Sequence, residues 1–142
     1  MNRFKIRVMN INDIREECLD MQAELETVMP SDINDAIERG KAIAAYHARV
    51  GYLLALSKRL ARSKKTTEIG ETIIKIAKEN FLSAKAQNAL VDSIATEEMF
   101  LVDWLDRLNS MCVHQLDFLR SIISKEKEEM RINANFNYGN TR

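Results

Sequence analysis

Apolar residues recur along this chain at helical spacing, most persistently over residues 94–130. Ile94, Leu101, Leu108 and Ile122 fall seven positions apart or multiples of seven. Leu105, Cys112 and Leu119 repeat four positions after that series, and Trp104, Met111 and Phe118 three positions after it. The result is a broad i, i+3, i+4, i+7 stripe. The opposite face carries Asp103, Asp106, Arg107, Ser110, His114, Asp117, Arg120, Ser121 and Ser124. No Pro or Gly interrupts the run, so a helix of about 37 residues, ~55 Å long, is expected. A stripe this broad on a rod this long must be covered by other helices of the chain, by other copies of it, or by both.

The earlier pattern predicts shorter helices. Residues 1–10 alternate without a partner strand, and 1–12 are expected to form an extended or mobile arm. Asn12 or Asp13 can cap a helix to about Val28, with Ile14, Cys18, Met21, Leu25 and Val28 on its inner face. Pro30 ends it. Ser31 then caps a second helix to about Ser63, whose stripe runs through Ile33, Ile37, Ile43, Tyr46, Val50, Leu53, Leu54 and Leu60. Gly40 and Gly51 lie inside this helix, and Gly51 suggests close approach of another helix. Thr67 caps a short helix to about Glu79, and Ser83 caps another over residues 84–92. A bend at Ser93 or Thr96 precedes the long helix, and Thr96-Glu97-Glu98 looks like a helix start. After Met130 the Asn-rich segment has no amphipathic pattern, so 131–142 is expected to be a mobile polar tail. The expectation is an all-α bundle of about four to five helices with one long C-terminal helix, its domain spanning 13–130 and its copies associating. No internal repeat is visible.

Composition supports this. The 142 residues include only 4 Gly and 1 Pro, too few for a loop-rich or β-rich fold. No apolar run reaches membrane-spanning length, and residues 1–8 lack the apolar core of a signal peptide, so a cytoplasmic protein is expected. Cys18 and Cys112, far apart and without Cys-x-x-Cys spacing, read as buried thiols.

Charge changes the picture more. The formal net charge is zero, but the signs are segregated. Residues 13–38 hold Asp13, Glu16, Glu17, Asp20, Glu24, Glu26, Asp32, Asp35 and Glu38 against the single base Arg15. Residues 39–67 hold Arg39, Lys41, Arg49, Lys58, Arg59, Arg62, Lys64 and Lys65 and no acid. Basic residues suit a helix C-terminus, yet five bases in eight positions exceed what capping needs.

Catalytic constellations are absent from the sequence. His47 and His114 are the two histidines, and neither has a Glu three positions before it, as a helical di-metal site would require. His114 with Asp117 supplies only two ligands. There is no phosphate-cradling Gly-rich loop. Cys112 lies on the apolar stripe, so burial outweighs nucleophilicity. Asp103 with Arg107 reads as an i, i+4 ion pair. No cofactor is expected.

Two features carry a functional reading. Lys58, Arg59, Arg62, Lys64, Lys65 and Arg49, with Tyr52 interleaved, can bind phosphates and stack a base. Leu101, Trp104, Leu105, Leu108, Met111, Gln115 and Phe118 can form an oligomer interface, with Gln115 setting register. In addition, Phe81-Leu82-Ser83-Ala84-Lys85, Leu90-Val91-Asp92-Ser93, Trp104-Leu105-Asp106 and the Arg120-containing run before Ile122-Ile123 resemble the C-terminal half of the UvsY-type recombination mediators of tailed phages. The resemblance covers about 50 residues. It implies a ring-forming helical protein that binds single-stranded DNA and helps a recombinase displace a single-strand-binding protein. It also implies a basic N-terminal half, the place that Lys58, Arg59 and Arg62 occupy here. The acidic 13–38 segment departs from that pattern. The rival expectation is a helical adaptor or inhibitor that binds a protein partner, such as a host-defence or replication protein, through this acidic helix.

Overall fold

A computed structural model describes residues 9–140. The proposed arm falls largely in 1–8, outside the described residues. Five helices follow in order: α1 (Ile11–Leu25), α2 (Ile33–Lys65), α3 (Glu68–Glu79), α4 (Ala84–Ile94) and α5 (Thr96–Gly139). No strand occurs among the described residues. The all-α architecture with one long C-terminal helix is as expected.

Local capping chemistry moves several boundaries. Asn10, not Asn12 or Asp13, caps α1. Its side chain accepts from the backbone N–H of Asn12 and Asp13 at 3.0 Å each, while Asp13 accepts from the N–H of Asn10 at 3.1 Å, a reciprocal capping box. The helix stops at Leu25, leaving Val28 94% exposed rather than on the inner face. Asp32, not Ser31, caps α2, since a carboxylate also favours the positive end of the helix dipole. At the far end the Thr66 hydroxyl donates to the carbonyls of Arg62 and Ser63, and the Thr67 hydroxyl to that of Lys64. These bonds satisfy otherwise orphaned carbonyls, so α2 reaches Lys65. Helix α3 ends with Phe81 at φ 57 and with Leu82 N–H bonded to Ala77 O, a closure that usually recruits Gly.

Helices α2 and α5 pack antiparallel: Gly40 faces Leu119, and Lys64 pairs with Glu98. Helix α1 runs alongside α5 in the same direction, because Arg15 meets Glu97 at 2.7 Å and Trp104 Nε1 donates to Gln22 Oε1 at 3.1 Å. The three enclose one core, which includes Ile14, Cys18, Ile43, Val50, Leu53, Leu101, Leu105, Leu108, Cys112 and Leu119. Both cysteines are free and buried there. The pair α3 and α4 packs mainly on itself and touches α2.

The glycine reading is corrected. A Cβ at Gly51 would meet nothing within 4 Å, so none of the described helices approaches there. The close approach occurs at Gly70, where a Cβ would collide with the Lys65 carbonyl. The long helix starts at Thr96, as the Thr96-Glu97-Glu98 pattern suggests, because the chain bends at buried Ala95 (φ −107, ψ 31). Its far end departs from expectation: the helix runs past Met130 to Gly139, so the proposed tail is helical over most of its length. No Pro or Gly falls between Thr96 and Tyr138, and Lys125–Glu129 and Arg131–Glu128 pairs support that turn of helix. At 44 residues α5 is ~66 Å long.

Candidate nucleic-acid interface

The basic segment 39–67 lies almost wholly on α2, and intrachain partners sort its bases into two groups. Arg39 donates to the Glu24 carbonyl at 2.8 Å, to the Thr27 hydroxyl and to Gln115 Oε1 at 3.3 Å. Gln115 Nε2 in turn donates to the Leu25 carbonyl at 2.7 Å. Together these two side chains close the last turn of α1. Lys41 pairs with Glu38 at 2.9 Å. Arg49 grips Glu17 through two nitrogens, Nε at 2.7 Å and Nη2 at 2.6 Å, and its guanidinium lies 5.2 Å from the Tyr52 ring centre. The bond to Glu17 holds the Arg49 pKa above its ordinary value. Lys64 pairs with Glu98 at 3.1 Å and Lys65 with Asp92 at 2.8 Å.

Lys58, Arg59 and Arg62 form the second group. All three are exposed, and none has an ion pair among the described residues. Tyr52, Ala55, Arg59 and Arg62 follow at steps of three, four and three, so they share a face. Tyr52 is half exposed. Small Ala55 leaves the space between ring and guanidinium groups open. Asp92 is 64% exposed and can be resolvated, so Lys65 can exchange it for a phosphate at modest cost, whereas Glu98 is only 12% exposed and holds Lys64 more firmly. Arg49, held bidentate two turns away, is committed to α1.

The expected interface residues fare differently. Leu101, Leu105 and Leu108 are at most 1% exposed within the single chain. Their side chains fill its own core and are not available to a partner. Trp104 and Met111 are half-buried at the core's edge, and Trp104 is tied to Gln22 of α1. Gln115 bonds inside the chain and sets no intermolecular register. Phe118 alone of the seven is open, at 53%. Spacing could not reveal this, because the stripe is wide enough to serve both the chain core and an outer seam.

Elsewhere, Asp92, Ser93, Thr96, Met99, Phe100 and Asp103 line a shallow depression of about 510 Å³ beside the α4–α5 bend. Asp92 there is already bonded to Lys65. Among the described residues no three His, Cys, Asp or Glu side chains converge as metal ligands, and no helix is long and apolar enough to cross a membrane. The chain matches no known protein-family model, no curated protein and no solved structure.

Proposed function

We propose that the protein is a non-enzymatic, homo-oligomeric single-stranded-DNA-binding protein. The observation that carries this reading is the sorting of charge on α2. Five of its eight bases have intrachain partners, while the three with no ion pair among the described residues are close together, exposed and within three turns of Tyr52. Guanidinium and ammonium groups on one face neutralise successive phosphates, and an aromatic ring offers a sequence-tolerant stacking surface. The resemblance to UvsY-type mediators extends the proposal to an accessory role in phage-type recombination, in the cytoplasm, beside a recombinase and a single-strand-binding protein.

The test is binding of a labelled oligothymidine across a salt series. Wild type is expected to bind at low salt, with affinity falling as salt rises. Replacing Lys58, Arg59 and Arg62 by Gln should lower the slope of log affinity against log salt by about 0.7 per lost phosphate contact. An unchanged slope, or no binding at low salt, removes the site. A second reading has its own support: Glu16, Asp20 and Glu24 form an exposed acidic ridge on α1 with no ion pair among the described residues. In that reading α1 docks on a basic protein, and neutralising the ridge abolishes the complex.

A further inference from the structure

Phe118, Ile122, Lys125, Glu129, Ile132 and Phe136 follow one another at steps of four, three, four, three and four. That is the two-per-heptad seam along which one helix packs on another. Among the described residues no helix covers it beyond Ile122, which is itself half-buried. Helix α1 reaches only to the level of Gln115. Helix α2 begins at Ile33, seven positions before the Gly40 that faces Leu119, so beyond about residue 126 no other described helix lies beside α5. Phe118, Ile132 and Phe136 are 53%, 55% and 69% exposed. A lone helical extension of this length is marginal in water.

The order of the six is self-complementary about residue 127. Phe118 and Phe136 lie nine positions either side of it, Ile122 and Ile132 five, Lys125 and Glu129 two. We propose that α5 pairs antiparallel with α5 of a second copy over residues 118–136, through a two-fold axis beside Lys127. The rotation sets Phe118 of each copy beside Phe136 of the other, Ile122 beside Ile132, and Lys125 beside Glu129. A parallel pairing would oppose Lys125 to Lys125 and Glu129 to Glu129, so the charges select the antiparallel arrangement. Within one chain Lys125 and Glu129 are 3.9 Å apart and 77% and 54% exposed, a loose contact that leaves both free to meet the second copy. The pairing rests on this face alone and is independent of DNA binding.

The test is the solution mass of the intact chain at tens of micromolar, with four variants. Wild type is expected at twice the 16.3 kDa chain mass. K125E and E129K should each fall to the single-chain mass, because each faces like with like across the axis. Mixing the two should restore the dimer, since Glu pairs then oppose Lys pairs; a purely intrachain role for these residues predicts no such rescue. The orientation is read by oxidation. F118C mixed with F136C should form an intermolecular disulfide, whereas neither should do so alone, because like positions sit about 27 Å apart in the antiparallel dimer. A monomeric wild type, K125E at unchanged mass, failure of the mixture to recover, or a disulfide in either cysteine variant alone overturns the proposal.

Discussion

Cys18 and Cys112 illustrate how far single side chains are set by the three-helix core. Both thiols are fully buried. Burial, with the neighbouring Glu17 carboxylate adding to it, pushes the Cys18 thiol up from 9.0 to about 11, and burial raises Cys112 as well. The unfolded chain therefore releases these protons at lower pH than the folded one. Stability from this source is complete below the ordinary thiol pKa and is lost as pH rises toward about 11. A denaturant-midpoint series from about pH 8 to about pH 11 should show a decline in wild type that is shallower in Cys18→Ala. Equal slopes would mean that the thiolate is accommodated in the core. Ser57 is a different case. Its hydroxyl is buried without a hydrogen-bond partner among the described residues, in the middle of α2.

At the scale of elements, two glycines in helices answer to opposite physics. Gly51 faces open space, so Gly51→Ala adds helix propensity without a clash and should stabilise by about 1 kcal/mol. Gly70 lies against the Lys65 carbonyl, and Gly70→Ala should destabilise by about 1–3 kcal/mol through overpacking at the α2–α3 corner. Thermal melts of the two variants check both signs, and a stabilised Gly70→Ala would mean that the corner opens without cost. The sequence shows two glycines inside apparently similar helical patterns, and spacing cannot tell which one meets a carbonyl. The same limit explains α5. Its heptad series was legible, and so was the helix itself, because periodicity registers both. Which part of the series the chain buries depends on where α1 and α2 end, and those ends are set by Pro30 and the Asn10 and Asp32 caps. Residues 131–139 read as a tail because Asn has weak helix propensity. The Lys125–Glu129 and Arg131–Glu128 pairs at their start supply support that propensity alone does not register. On α2, the basic run was visible, but the pairing of Arg49 with Glu17 and of Lys65 with Asp92 depends on tertiary neighbours.

On the scale of the whole molecule, the two proposals combine into a geometric prediction. Lys58, Arg59 and Arg62 lie at the end of α2 that faces the start of α5, near Glu98. The proposed two-fold axis lies beside residue 127, about 40 Å further along the same helix. The dimer would then present its two basic clusters at opposite ends of a rod, ~80 Å apart. An oligonucleotide of about 8–12 nucleotides, the size of one binding site, cannot touch both. It should bind wild type and monomeric K125E with the same affinity per chain. A strand whose contour comfortably exceeds the rod can engage both ends, and the second contact is then intramolecular. Its affinity for wild type should exceed that for K125E by at least about tenfold, within the gain that bivalency gives a matched tether. Since K125E also adds negative charge, the short strand serves as its own control: any general electrostatic penalty acts on both lengths. The equimolar mixture of K125E and E129K should recover the long-strand advantage. If long and short strands lose affinity equally in K125E, the two basic ends act independently and the rod plays no part in DNA binding.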